Sequence, residues 1–434
     1  MARSSPRRDD RIRPERTTAP TLTSRRLAPV PAYDSACISA PQRPNLVGRE
    51  CLPVKRRNRG IDVRAIWAGH DAMSAGRAGP RVLRWTRVTR YAAGVSDYVG
   101  CRVVVFALGG TIAMTKSADG GVVPALSAQE LVRGVPGLGG SGVGVEVVDF
   151  RRVSGASLGF SDITALVGAI RGLPEGVEGV VVTQGTDSIE ETSYLLDLLY
   201  GGERPVVVTG AMRNPTLAGA DGPANLLGAV LTAAHPEARG QGCLVVFDDE
   251  IHAARRVHKA HTAATGAFRS PDGGPLGYLV EGRPRFLNRL PHRFLVPADS
   301  VAGVRIPIHT VVLGDDGTTL QPLVGRIDGL VVAAFGAGHV PAELVPVLER
   351  LAAEVPVVLA SRTGAGSVLE TTYGFAGSER DLLARGLIPA GFLTPIKARI
   401  LLAALLATGR DRDTLRTAVT VAGGSGDPGD WPLC

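Results

Sequence analysis

Short apolar runs recur along this chain and alternate with amphipathic segments. Apolar runs bounded by glycines or polar residues are typical of strands buried on both faces of a sheet, and they occur at Val103–Ala107, Val145–Val148, Gly179–Thr183, Val206–Thr209 and Leu244–Phe247. Apolar residues at helical spacing predict helices between them at Ser127–Arg133, Asp162–Arg171, Ser188–Tyr200 and Pro223–Ala234. This alternation favours a mostly parallel sheet with helices on both sides.

A second, shorter alternation follows a looser stretch at 266–308. It predicts three strands and two helices, at Thr310–Leu313, Gly329–Ala334, Val355–Ala360, Pro341–Ala352 and Pro395–Ala407. The expected fold class is therefore α/β. A large, doubly wound, mostly parallel sheet domain is expected at 101–300, and a smaller α/β domain at 308–434.

Residues 1–98 are rich in Arg, Pro and Ala and have no periodicity, so we expect a disordered segment. A start codon assigned too far upstream would equally explain such a segment. Residues 1–100 hold 20 of the 48 basic and 8 of the 41 acidic residues, a net charge of +12, and the remaining residues have a net charge of −5. Nucleic-acid binding would depend on this segment alone and is not expected.

Composition excludes several other classes of protein. No apolar run approaches the roughly 20 residues that span a bilayer, so no membrane association is expected. The five cysteines are widely spaced and form no CxxC pair, which argues against a disulfide framework or a zinc site and favours the cytoplasm. No metal or cofactor is expected, because no His, Asp and Glu residues have ligand spacing; the histidines His252, His258 and His261 are interpreted as solvated or capping residues.

Two threonines follow predicted strands. In Ala107–Thr115 (ALGGTIAMT) a strand ends in two glycines and then Thr111, and in Val180–Leu199 (VVVTQGTDSIEETSYLLDLL) a strand is followed by Gly185, Thr186 and Asp187. Ligands of open α/β sheets bind beyond the carboxyl ends of the strands, which makes both threonines candidates for a site. A lone Thr111 could equally serve a turn. Ser188 and Glu191 have the spacing of a capping box, which accounts for part of the second motif structurally.

Lys259 is one of only four lysines, against 44 arginines. A desolvated lysine amine can lose its proton, whereas an arginine guanidinium cannot, so Lys259 is a candidate base. A solvated surface lysine is the simpler interpretation. The sequence alone does not place Lys259 near Thr186.

Taken together, several collinear motifs resemble the bacterial L-asparaginase family, types I and II. They span about Val103 to Thr408 and are GGTIA, TQGTDSIEET, TGAMR, ADGPANL, PLGY and PIKARILL. The resemblance implies a large doubly wound domain, a smaller flavodoxin-like domain and a homodimer or homotetramer. It implies hydrolysis of L-asparagine to L-aspartate and ammonia through a threonine acyl-enzyme, with possible minor glutaminase activity.

The resemblance also implies roles for individual residues. Thr111 matches a nucleophile, and Thr186, Asp187 and Lys259 match a second catalytic triad; Asp187, Ser157 and Gly185 are implied to bind the substrate. Which threonine attacks stays open. Three polar groups of the family pattern have no counterpart: a tyrosine where the chain has Gly120–Val123, a Ser-Gln pair where it has Gly155–Ala156, and an asparagine where it has Ala337. Each lost hydrogen bond to a charged group typically costs about 1.5–3 kcal/mol, so we expect weaker or altered amino-acid binding.

Two alternatives remain at this level. An ammonia-generating amidotransferase subunit for tRNA-linked amidation shares the threonine motifs, but its N-terminal extension should resemble a compact β-rich domain, which residues 1–98 do not. A non-catalytic amino-acid-binding protein could keep the fold. The presence of all four candidate catalytic residues argues against that alternative.

Overall fold

The computed structural model describes residues 98, 100–110, 112, 114–116, 122–124 and 128–433. The first twelve strands are β1 (Arg102–Ala107), β2 (Met114–Lys116), β3 (Val122–Pro124), β4 (Gly144–Asp149), β5 (Gly179–Thr183), β6 (Val206–Thr209), β7 (Cys243–Phe247), β8 (Glu250–Ala253), β9 (His258–Lys259), β10 (Phe268–Arg269), β11 (Gly277–Val280) and β12 (Arg283–Phe286). The helices among them are α1 (Ala128–Arg133), α2 (Phe160–Arg171), α3 (Ile189–Leu199) and α4 (Gly222–Ala234).

Within the described part of the chain, the larger sheet has eight strands in the order β12-β11-β8-β7-β6-β5-β1-β4. Strands β4, β1, β5, β6 and β7 are parallel, and β8, β11 and β12 extend the sheet with antiparallel pairs. From β1 the chain crosses first to β4 on one side and then to β5 on the other. The strand order therefore reverses at β1, and the carboxyl edge beside such a switch point is where open α/β sheets bind ligands.

Alternate residues of the parallel strands pack against helices on opposite faces. Val104 and Phe106 of β1 belong to a core cluster shared with α2 and α3, whereas Val103 and Val105 belong to a cluster shared with α1 and α4. Both faces of the sheet are therefore buried, which explains why its strands are continuous apolar runs. Together with the smaller sheet described next, this confirms the predicted fold class.

The smaller sheet is parallel, and its strands follow the chain order β13 (Ile308–Thr310), β14 (Leu330–Ala334), β15 (Val357–Ser361) and β16 (Ile388–Pro389). Its helices are α5 (Val345–Glu354), α6 (Glu379–Ala384), α7 (Pro395–Leu406) and α8 (Arg412–Gly423). Helix α7 contacts both α3 and the smaller sheet, so one hydrophobic core runs from the larger sheet through α7 into the smaller one. Within the described residues, no helix combines the length and apolarity needed to cross a membrane.

Most predicted elements occur within a few residues of their predicted bounds, with two instructive differences. The predicted strand Thr310–Leu313 lies instead at Ile308–Thr310, because Val312 and Leu313 are exposed and their apolar character does not mark a buried strand. The predicted helix at Pro341–Ala352 becomes α-helical only at Val345. Pro346 lacks an N–H donor and fits only the first turn of a helix. The division into domains at 101–300 and 308–434 stays a prediction. The predicted disordered segment lies outside the described residues except for Tyr98, which is buried in the cluster shared with α1 and α4.

The sequence pattern missed the antiparallel extension of the larger sheet. Strands β11 and β12 lie in the stretch interpreted as loose, where polar residues and Pro284 interrupt any alternation. β12 is the edge strand, and edge strands tolerate proline because one row of their backbone groups is unpaired.

Candidate active site

The segment that follows β5 forms the centre of the site. Gly185 is buried, and a short 3-10 turn at Thr186–Ser188 (the 186–188 turn) leads directly into α3. Because β1 and β5 are paired in parallel, with Ala107 opposite Thr183, the chain leaves both strands at the same edge of the sheet. This is the switch-point edge. Thr111, the candidate residue that follows β1, lies outside the described residues.

Lys259 meets Thr186 across this edge. The Nζ atom of Lys259 donates a hydrogen bond to Oγ1 of Thr186 at 2.9 Å, and Nζ lies 3.5 Å from Oδ1 of Asp187. Thr186 is buried, the Lys259 side chain is 20% exposed, and the Asp187 side chain is 61% exposed. The structure thus brings together three of the four candidate catalytic residues, with the hydroxyl inside and the carboxylate at the solvent side.

Three glycines pack backbone to backbone beneath this turn. A Cβ atom built on Gly155 would lie 2.7 Å from the carbonyl oxygen of Gly185, and one built on Gly110 would overlap the backbone of Gly185. Gly110 also has a φ of 92°, which disfavours any other residue. The segments that follow β1 and β4 therefore enclose Gly185 tightly. This packing restricts where the backbone of the next residue, Thr186, can lie.

The predicted capping box at Ser188 and Glu191 is wrong. Ser188 makes no side-chain cap on α3; its Oγ donates instead to the carbonyl oxygen of Gly155 at 2.7 Å. Gln184 donates through Nε2 to Ser188 Oγ at 3.3 Å. A long-range partner has displaced the local one, and Ser188 ties the 186–188 turn to the segment after β4.

Ser157 belongs to a second 3-10 turn, Gly155–Ser157, that contacts the 186–188 turn. Its side chain is exposed, whereas Gly155 is buried against Gly185. With the observed backbone, a side chain at Gly155 would strike Gly185, so the serine of the family pattern has no room here. Ser157 and the exposed Ser154 are the hydroxyl residues that this turn presents to solvent.

The sequence analysis did not single out Glu190, Thr394 or the buried Lys397. Glu190 Oε2 accepts a hydrogen bond from the backbone N–H of Lys259 at 3.2 Å, and Oε1 accepts one from Thr394 Oγ1 at 3.1 Å. Lys397 Nζ donates to the carbonyl oxygen of Ala254 at 2.8 Å and lies 3.9 Å from Glu190 Oε1. Burial lowers the pKa of Lys397, against the opposing attraction of Glu190. A signal was present for Lys397, which is one of the four lysines, whereas nothing in the apolar periodicity of α3 marks Glu190.

The three histidines considered above differ in environment, and His258 is partly exposed, with its Nδ1 3.8 Å from Oε2 of Glu190. His252 is fully buried, which makes its interpretation as a solvated residue wrong, and burial together with the charge of Arg269 lowers its pKa to about 4. His261 is a capping residue, since its Nδ1 accepts from the N–H groups of Ala263 and Ala264. Among the residues that the structure describes, no group of His, Cys, Asp and Glu has the arrangement of a metal site.

Comparisons with known proteins cover the same part of the chain. The family model described as Asparaginase, N-terminal, matches residues 102–292, and the Glutaminase/Asparaginase C-terminal domain model matches residues 305–419. The chain is 38% identical to a probable L-asparaginase of Deinococcus radiodurans over 327 residues, which is 74% of this chain and 97% of that protein. It is 33% identical to the L-asparaginase of Bacillus licheniformis over 318 residues, 71% of this chain and 96% of that protein. The crystal structure of a probable cytoplasmic L-asparaginase from Campylobacter jejuni matches with a TM-score of 0.66 and 32% identity, covering 74% of this chain and 99% of that one.

Proposed function

This chain belongs to the asparaginase family, and we propose that it hydrolyses the side-chain amide of L-asparagine to L-aspartate and ammonia. The observation that carries the proposal is the 2.9 Å hydrogen bond from Lys259 Nζ to Thr186 Oγ1. A threonine hydroxyl is a weak nucleophile until a neighbouring base takes its proton, and an amine in its unprotonated form is such a base. The amidotransferase and binding-protein alternatives are not favoured by the relatives, which carry the name L-asparaginase.

The proposed reaction has two halves. A threonine Oγ attacks the amide carbon while its proton passes to the base; the C–N bond then breaks, and the nitrogen leaves as ammonia with that proton. Water then cleaves the resulting ester, which restores the threonine hydroxyl and releases L-aspartate. We assign the base role to Lys259 and leave the attacking hydroxyl open between Thr111 and Thr186. The backbone N–H groups at Asp187–Ser188 are suited to stabilise the oxyanion.

Asp187 is proposed to bind the α-ammonium group of the substrate. Its side chain is 61% exposed at the solvent side of Thr186, so an arriving cation can reach it. Ser157, in the Gly155–Ser157 turn, and Gly185, directly before the 186–188 turn, are proposed to contact the substrate. Because Gly155 admits no side chain, we expect the α-carboxylate to be held by fewer hydrogen bonds than in the family pattern and the KM for L-asparagine to be correspondingly high.

The test is ammonia release from purified protein supplied with L-asparagine, L-glutamine or D-asparagine. We expect L-asparagine to be the best substrate and L-glutamine to be a poor one. Thr111→Ala and Thr186→Ala should each lower kcat by about 10²-fold or more, as expected for groups at the reacting atoms. Thr319→Ala, at an exposed threonine between β13 and β14, is the matched control and should behave like the parent protein. No ammonia from any substrate, with asparagine binding intact by calorimetry, would contradict the proposal.

Assembly and location complete the proposal. We propose that the protein is a homodimer or homotetramer and that it works in the cytoplasm. The location is supported by the solved relative, which is named as cytoplasmic. Analytical ultracentrifugation of the full chain measures the first property, and fractionation of the native cells measures the second. A monomer at micromolar concentration, or activity confined to the exterior of the cell, would contradict these two parts.

A further inference from the structure

We infer that Glu190 is a positioning residue that sets Lys259 against Thr186 and links this setting to the N-terminus of α7. The inference rests on the proposed function for its kinetic meaning. The contacts themselves are a feature of the fold, because Glu190 is buried where the larger sheet, β9 and α7 meet.

Each oxygen of the Glu190 carboxylate accepts a hydrogen bond from a different part of the chain. Oε2 accepts the backbone N–H of Lys259 at 3.2 Å, and Oε1 accepts Thr394 Oγ1 at 3.1 Å. Thr394 is the N-cap of α7, and its Oγ1 also accepts the N–H of Lys397. The carboxylate thus bridges β9 and the start of α7.

Because Glu190 lies close to Thr186 in the chain, the bridge restricts how Lys259 is placed against Thr186. Glu190 lies four residues after Thr186, at the start of α3, so the hydroxyl and the carboxylate are carried by one short segment. Lys259 contacts that segment through its backbone N–H to Glu190 and through its Nζ to Thr186 and Asp187. Contacts at both ends of the lysine side chain restrict where it begins and where its amine lies.

Two basic side chains lie beside the Glu190 carboxylate. Lys397 Nζ lies 3.9 Å from Oε1 and is fully buried, and His258 Nδ1 lies 3.8 Å from Oε2. Lys397 also donates to Ala254 O, on the segment that runs from β8 to β9. A hydrogen bond to an ionised acceptor is roughly twice as strong as a neutral one, so the carboxylate holds the Lys259 backbone more firmly than an amide would.

The variant that tests this is Glu190→Gln, which keeps the shape and removes the charge. We expect kcat for L-asparagine to fall by about 10–100-fold, the effect of a small misplacement of a catalytic group, while KM changes by less than about threefold. Glu349→Gln, at an exposed carboxylate paired with Arg385, is the control for loss of a negative charge and should leave both constants unchanged.

Glu190→Gln also leaves the Lys397 amine buried beside a neutral group, so lower stability could mimic the expected loss. The double variant Glu190→Gln/Lys397→Met removes that amine. We expect its melting temperature to match that of Lys397→Met within about 2 °C while kcat stays low. Recovery of kcat in the double variant would overturn the inference, because the loss would then be due to instability.

The positioning role of Glu190 can be tested separately from the proposed function by a measurement that does not depend on enzyme activity. Reductive methylation followed by peptide mass spectrometry measures the reaction rate of each of the four lysines. In Glu190→Gln the rate at Lys259 should rise by about threefold or more as Nζ leaves Thr186, and the rate at Lys55 should not change. An unchanged rate at Lys259 would overturn the inference even if ammonia is released. A raised rate in a protein that releases no ammonia would support the positioning role and sink the proposed function alone.

Discussion

The chemistry proposed for this protein depends on which cation stands beside Thr186. The chain uses arginine almost everywhere that it needs a cation, with 44 arginines against four lysines. An arginine at position 259 would donate a hydrogen bond to the same hydroxyl but would never accept its proton, because its guanidinium stays charged. The amine of Lys259 can do both.

This difference gives a prediction for position 259. Lys259→Arg and Lys259→Met should both lower kcat by about 10²–10⁴-fold, the usual contribution of a general base. Arginine should therefore be no better than methionine, although it keeps the charge. The measurement is steady-state ammonia release. Arg289→Lys, at an exposed ion pair with Glu237, provides the control for the exchange of these two cations. An active Lys259→Arg protein would exclude Lys259 as the base.

Burial of His252 makes the stability of the protein depend on pH. Its Nε2 lies 3.3 Å from Glu250, a contact that favours the protonated ring. The ring is fully enclosed, and the cost of charging it there outweighs this contact, so the pKa falls from 6.5 to about 4. Between pH 6.5 and 4 the unfolded chain binds more protons at this residue than the folded chain does. Stability from this source is complete above pH 6.5 and decreases as the pH falls.

We therefore expect His252 to contribute on the order of 3 kcal/mol to the loss of stability between pH 7 and pH 4. Urea denaturation at pH 7, 6 and 5 measures the free energy of unfolding. His252→Gln should be less stable than the parent protein at pH 7, and its stability should decrease less as the pH falls. Parallel pH dependences for the two proteins would contradict this.

At the scale of elements, the start of α3 is built by contacts with other strand ends rather than by its own capping residues. The sequence pattern at Ser188 and Glu191 predicts a capping box, yet Ser188 donates to Gly155. A local rule fails where a long-range partner offers a better hydrogen bond, and such places are often functional. Gly155 and Gly185 approach so closely that their lack of side chains, rather than a special φ angle, explains why both are glycine.

Gly155→Ala tests this packing. Its Cβ would lie 2.7 Å from Gly185 O, so backbone must shift, and we expect a destabilisation of about 1–3 kcal/mol together with a lower kcat as Thr186 moves. Gly168→Ala is the matched control, since its Cβ on α2 would enter open space. A helical Gly→Ala change should stabilise the protein by about 0.5–1 kcal/mol without altering kcat. Equal behaviour of the two variants would show that the glycine packing is unimportant.

At the scale of the whole molecule, strand order decides where the site lies. The chain runs from β1 to β4 on one side and then to β5 on the other, and open α/β sheets bind ligands at the carboxyl edge beside such a reversal of strand order. The α7 helix packs on α3 and carries Thr394 to Glu190. The smaller sheet therefore supports the candidate site without supplying Thr186 or Lys259.

The region shared with the asparaginase family begins at residue 102, which gives a prediction for the basic N-terminal segment. A chain that begins at Asp97 should retain kcat/KM for L-asparagine within about twofold, because the removed segment lies outside that shared region. It should also bind less to a cation-exchange resin, as it lacks the segment with the positive net charge. Ammonia assays on both chains decide the first point. A large loss of activity would assign a catalytic or folding role to residues 1–96.

The sequence by itself determined the alternation of strands and helices, because that alternation is written in local apolar periodicity, and it determined the residue types available for chemistry. Only the tertiary structure decided which of them meet. Lys259 reaches Thr186 from 73 residues away, and Thr394 reaches Glu190 from 204 residues away. Such distances depend on strand order, on the close approach of Gly155 to Gly185 and on the packing of α7 against α3. These are sums of many contacts between distant residues, which no local pattern encodes.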